Sequence, residues 1–228
     1  VVANNIMDAY PSRVWAVNIH AGNYAPMYYP NFNTTDGTAI YYGFNVTGFP
    51  QAVVNRSTDY GLGRTDWATH TNQQIEQTAE CNIGGQVIID PETRTATINV
   101  EIYYVSNSAA STNYLNVIML EDDIIGSQAN GHTNPSQYIN GQYHHNHVFR
   151  DAVTSTWGDA ISPTTAGSLI SKIYTYNIPE TVGTPNGTSV NINNVSFLAF
   201  VTEQYQGTPT RPILNANELT SFLGTNQN

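Results

Sequence analysis

His144, His145 and His147 form the densest group of histidines in the sequence. Imidazole is a common ligand of transition metals. Side chains alternate along an extended strand, so His145 and His147 are expected on one face, placed to share a zinc or copper ion. Asp151 is a candidate further ligand, but no fixed fourth ligand stands out, and the segment reads equally well as a structural hydrogen-bond knot.

 Glu121, Asp122 and Asp123 carry the oxygen donors that hard cations take. They lack the Asp/Asn and Gly spacing of a calcium loop and read first as the acidic, solvated end of a strand. Arg150 with Asp151 and Asp159 is expected to form a partly buried ion pair that ties down a long loop.

Gly48-Phe49-Pro50 reads as a tight turn with the X-Pro bond in cis, followed by the short apolar strand Ala52–Asn55. Such a turn leaves backbone beside Phe49 and Pro50 as a platform on which an extended peptide can add as a strand. A neighbouring thiolate would make it a redox site, but Cys81 is the single cysteine, so the chain has no CxxC, no disulfide and no cysteine zinc site of its own. Cys81 reads as a small buried hydrophobe. There is no Gly-x-Ser-x-Gly elbow, P-loop or GxGxxG fingerprint. No catalytic residue and no cofactor is therefore assigned. Tyr24, Tyr28 and Tyr29 in one loop, and Tyr138 and Tyr143 in another, offer amphipathic contact area for a protein or glycan partner.

Composition narrows the partners. Among 228 residues, 17 Asp+Glu face 7 Lys+Arg, a formal net charge of −10. That field disfavours nucleic acid and anionic headgroups. Charged residues make up only 11% of the chain, and Asn, Thr, Ser, Gln and Tyr carry the polarity, as on exported proteins. No apolar run is long enough to span a membrane as a helix. The chain opens inside a helical pattern without an initiating Met, so its natural start is expected upstream.

These residues are positioned by elements of two kinds. Val2, Ile6 and Tyr10 mark a first helix, stopped by Pro11. Val14–His20 is nearly continuously apolar, as in a strand buried on both faces of a parallel sheet. Asp36 caps a short helix to Phe44, and Thr65 or Asp66 caps another to about Gln77. Beyond Cys81 the period falls to two. Ala96, Ile98, Val100, Ile102 and Tyr104 alternate with polar neighbours, and Gln86–Asp90, Tyr114–Glu121, Ile170–Tyr176 and Val195–Glu203 read as further strands. Strands at this loose spacing with polar turns indicate a β-sandwich. The expected architecture is an α/β thioredoxin-like domain over residues 1–80, lacking its N-terminal part, followed by an antiparallel β-sandwich over residues 81–228.

The chain resembles the Omp28-related outer membrane proteins of Bacteroidetes. The resemblance rests on Gly48-Phe49-Pro50 through Val54-Asn55-Arg56, on Leu115-Asn116-Val117-Ile118-Met119-Leu120-Glu121-Asp122, and on His145-Asn146-His147-Val148-Phe149-Arg150-Asp151-Ala152 with Trp157-Gly158-Asp159. Phe197-Leu198-Ala199-Phe200-Val201 and Leu214-Asn215-Ala216 complete it. It implies an exported lipoprotein, held at the outer membrane only through an upstream lipid anchor, at the cell surface or the periplasmic face. The first functional expectation is a non-enzymatic protein that binds a protein, peptide or glycan there. The alternatives are a periplasmic thiol–disulfide oxidoreductase with its cysteine pair upstream of Val1, and a metal-binding module built on His145 and His147.

Overall fold

A computed structural model describes residues 1–22, 30–129, 131–183, 186–203 and 211–224. Three short helices come first: α1 (Val2–Ala9), α2 (Thr35–Gly43) and α3 (Trp67–Ile75). The long strands begin at Cys81: β1 (Cys81–Asp90), β2 (Thr95–Tyr104) and β3 (Asn113–Glu121). Short strands follow: β4 (Ile124–Gly126), β5 (Tyr138–Ile139), β6 (Gln142–His145), β7 (Val148–Ala152) and β8 (Asp159–Ile161). The described strands end with β9 (Leu169–Asn177), β10 (Thr181–Val182), β11 (Thr188–Ser189), β12 (Val195–Thr202) and β13 (Ile213–Leu223).

The principal sheet has eight strands in the order β7-β3-β12-β13-β1-β2-β9, with β8 also paired to β3. It is a curled mixed sheet, because one pairing is parallel. From Ile213 to Leu219, β13 runs antiparallel to β12; from Thr220 to Leu223 it runs parallel to β1. Before the parallel pairing starts, two side chains make the join. The Asn215 amide donates to the carbonyl of Cys81 at 2.7 Å, and that of Asn217 to the carbonyl of Ile83 at 2.9 Å.

Alternation explains the main core. Cys81, Val87 and Ile89 of β1 and Ala96, Ile98, Val100, Ile102 and Tyr104 of β2 all point inward and are buried. They meet Leu115, Val117 and Met119 of β3 and Phe197, Ala199 and Val201 of β12 in one cluster. The curl of the sheet thus lets its two halves share a core. β3 and β12 are apolar on both faces for a separate reason. Their outer face carries Ile118, Leu120, Leu198 and Phe200, which with Phe149 pack against Trp15, Val17, Ile19 and Ile40.

That second layer corrects the expected architecture. The thioredoxin-like α/β domain with a separate antiparallel sandwich is not what forms. The described residues are mostly β, with three short helices and a curled mixed sheet. Val14–His20 is not a strand; within it Asn18 makes one isolated parallel bridge, to Val148. Ala52 likewise makes one bridge, to Leu62, in place of a strand. The physical reason is that a short apolar run suits any segment that must cover an apolar surface, and periodicity alone does not say which. Here Trp15, Val17 and Ile19 lie on the outer face of β3 and β12. The cap of α2 also differs. Thr34 Oγ1 accepts from Gly37 N at 2.9 Å, and Asp36 sits in the first turn, where its charge suits the helix N-terminus.

Candidate functional site

Between the helical layer and the outer face of β3 and β12 lies an open cleft of about 1430 Å³. Its walls include Phe44, Val53, Phe149 and Phe200, with Phe49, Pro50 and Tyr41 also among its lining. Concave, mainly apolar spaces with a few polar groups are where small ligands usually bind.

Phe49 and Pro50 stand where a ligand could reach them. The Phe49–Pro50 bond is cis. Gln51 Oε1 holds the turn by accepting from Thr47 N at 3.0 Å and Gly48 N at 3.1 Å. Phe49 stays 42% exposed, and its ring stacks on Tyr41 with centroids 5.8 Å apart and planes 12° apart. Tyr41 in turn meets the exposed Tyr42 edge-on at 4.9 Å. The result is a short ladder of aromatic rings, part of it in the cleft.

The histidines are not brought together as expected. β6 ends at His145, and His147 has φ +54°, which breaks the alternation that would have put both on one face. His145 is buried among His20, Phe32 and Tyr143, with ring centroids at 5.3, 4.9 and 4.8 Å. Burial pushes its imidazole down, against hydrogen bonds to the backbone of Ser127 and Gly126. Burial, then His145 and Arg150, pushes His20 down to about 4, so it is neutral at pH 7. His147 turns to Asp122: its backbone N–H donates to Asp122 Oδ1 at 2.5 Å, and its Nδ1 lies 3.3 Å from the same oxygen. His144 Nδ1 lies 2.5 Å from Asp123 Oδ1. Among the described residues, no three His, Cys, Asp or Glu side chains converge on a point that could hold a metal ion.

The acidic residues have protein partners too. Glu121 pairs with Arg150, Nε to Oε2 at 2.9 Å, with both side chains buried, and accepts from Asn191 N at 2.7 Å. This replaces the expected pairing of Arg150 with Asp151 and Asp159. Neighbours in a strand point to opposite faces, so Arg150 and Asp151 of β7 diverge. Asp151 accepts from the Tyr176 hydroxyl at 2.5 Å, and Asp159 from Ser155 Oγ at 3.0 Å and the Tyr174 hydroxyl at 3.3 Å.

Of the tyrosines, Tyr138 is exposed and pairs across β5 and β6 with Tyr143. Tyr143 packs on His145 and donates to Gln137 Oε1 at 3.2 Å. Tyr24, Tyr28 and Tyr29 lie outside the described residues. Cys81 is buried, as expected of a small hydrophobe, and burial followed by Glu80 pushes its thiol up to about 12. The folded protein should therefore resist an aromatic disulfide reagent at pH 8 and react with one thiol per chain only after denaturation; fast labelling of the native protein would contradict this burial.

Reading the sequence for chemistry missed Arg56. It is 8% exposed, with φ +50°, and its guanidinium lies over Phe200, Trp157 and Phe44 at 4.7, 5.6 and 5.8 Å from their centroids. Arg211 lies over the same Trp157 ring at 3.7 Å. Backbone bonds from Arg211 N to Arg56 O and from Ile213 N to Asn55 O set the two segments side by side. No spacing in the sequence links residues so far apart.

Fold and cleft together define a β-rich scaffold with an open cleft beside its principal sheet. The family described as outer membrane protein Omp28 matches residues 37–215. The chain belongs to the Omp28 family, which places it at the outer membrane. No curated protein matches the chain. Among solved structures, HBP35 of Porphyromonas gingivalis is similar with a TM-score of 0.60 at 16% identity, over 80% of this chain and 57% of that one. This chain thus spans little more than half of HBP35, and the likeness concerns fold alone. A domain of the outer membrane lipoprotein Omp28 from Porphyromonas gingivalis matches with a TM-score of 0.40 at 17% identity, over 65% of this chain and 93% of that one. No helix of the described residues is long and apolar enough to cross a membrane.

Proposed function

We propose that this is a non-enzymatic binding protein, tethered at the outer membrane by a lipid anchor, that captures extended peptide segments at the mouth of the cleft. One observation carries the reading: the exposed Phe49, on its cis-Pro turn and stacked on Tyr41, borders a cavity large enough for several side chains. Rigid aromatic faces supply contact area at small cost in side-chain entropy. A backbone turn beside them suits a chain that adds in extended form.

An array of unstructured peptides, probed with the purified protein, tests this. A subset rich in apolar residues is expected to bind, and Phe49→Ala to weaken that binding by about tenfold, the scale of one lost aromatic anchor. A Phe49→Ala protein that folds and binds every peptide as the wild type does would refute the assignment. So would an array on which only glycans, spotted in parallel, are retained.

A further inference from the structure

The cleft wall contains a buried cation without an acidic partner. Among the described residues Arg56 makes no ion pair. Its guanidinium hydrogen bond, to Asn116 Oδ1, is long at 3.4 Å. Burial, then Arg211, pushes Arg56 down to about 9, which still leaves it charged at neutral pH. Asn55 and Arg56 both hold positive φ, at +53° and +50°, a conformation seldom adopted by an arginine. A charge taken out of water is costly unless it is paired, and three aromatic faces replace only part of its hydration.

The location gives this cation a use. Arg56, Phe44 and Phe200 all line the cleft, and the two rings are also those against which the guanidinium rests. A ligand entering the cleft beside those buried rings would bring its own polar end to Arg56. The planar guanidinium fork matches a carboxylate in two-point geometry. We infer that Arg56 is the anchor of a carboxylate-binding subsite, and that the cleft selects ligands carrying a carboxylate on an apolar body. The inference rests on the reading of the cleft as the binding site, and it names the chemical end of the ligand that the cleft prefers. Such a carboxylate is found at the C-terminus of a peptide and on a free aliphatic acid.

The probes are N-acetyl-leucyl-phenylalanine as the free acid, the same compound as its C-terminal amide, and hexanoate. Each is titrated calorimetrically into the wild-type protein and into Arg56→Lys and Phe49→Ala. The free acid is expected to bind at least about tenfold more tightly than the amide, as a charge-assisted bidentate contact would require. Arg56→Lys should narrow that gap, while Phe49→Ala should weaken acid and amide alike. Weak hexanoate binding with a tight acid points to the peptide terminus; comparable binding of both points to a free acid, and either supports the subsite. Equal affinity of the wild type for acid and amide overturns the role of Arg56 and leaves the cleft reading standing. Failure of the acid and hexanoate to bind the wild type at all also overturns it, whatever the array shows. The wild-type comparison decides even if Arg56→Lys does not fold.

Discussion

Glu121→Ala is expected to destabilise the protein by about 3–5 kcal/mol, the usual loss when one member of a buried ion pair is removed. Arg150 is fully buried, and its Nε meets Glu121 Oε2 at 2.9 Å while its Nη2 donates to Thr188 O at 3.0 Å. Truncating Glu121 would leave the guanidinium in the interior with one backbone carbonyl for company. The pair is not on that account a source of net stability. Burial raises the Glu121 carboxyl above its ordinary range, despite Asn191 N–H and the nearby Arg150 and Arg94. Burial likewise pushes Arg150 down, against the pull of Glu121. A carboxyl raised in the folded state adds stability below the ordinary carboxyl range and loses it as pH rises through the raised value. At neutral pH the ionised pair therefore sits at a cost, and its role is to fix how β3, β7 and β11 meet. The double variant Glu121→Leu/Arg150→Met should accordingly lie much closer to the wild type than Glu121→Ala does. Urea denaturation of the three proteins at pH 7 measures both differences. A Glu121→Ala loss under about 1 kcal/mol would mean that water reaches Arg150, since exposed pairs contribute on that scale.

The ease of reading such features from sequence depended on how local their causes were. The β2 alternation from Ala96 to Tyr104 is set by residues two apart, and all five inward side chains are buried. The helix stopped by Pro11 and the helix after Asp66 are local in the same sense. The membership in an outer membrane family was legible from blocks spread along the chain. The parallel sheet expected around Val14–His20 failed because an apolar run records only that it will be covered, not by what. The partner turned out to be the outer face of β3 and β12, far away in sequence. Even there a trace existed: Ile118, Leu120, Leu198 and Phe200 are apolar at positions where a sheet with one wet face would carry polar side chains. The histidines misled for a related reason, since one residue with positive φ at His147 cancels the alternation that joined it to His145. Phe49 and Pro50 were visible as a local turn. Arg56 was not visible as part of a site, because its surroundings are contributed by Phe44, Trp157, Phe200 and Arg211.

Gly85→Ala is expected to cost at least about 3 kcal/mol, the upper end of losses from overpacking, whereas Gly84→Ala should change stability by less than about 1 kcal/mol. The two glycines are neighbours in β1, which makes the contrast informative. A Cβ on Gly85 would fall 2.2 Å from the backbone oxygen of Asn99 and 3.1 Å from Leu219 Cδ2. The first obstacle is backbone of the adjoining strand β2 and has no rotamer by which to withdraw. The second belongs to the residue at which β13 leaves β12, one position before its parallel pairing with β1 begins. A side chain at Gly85 would thus push apart the two neighbours of β1 at the point where the sheet curls. At Gly84 a Cβ would meet nothing within 4 Å, and the loss of chain freedom in the unfolded state would weigh slightly in favour of folding. Chemical denaturation of both variants checks the difference, and amide exchange along β1 and β13 locates it. Equal stability of the two would mean that β2 can shift outward at Asn99, and that the curl does not depend on a close backbone approach at Gly85.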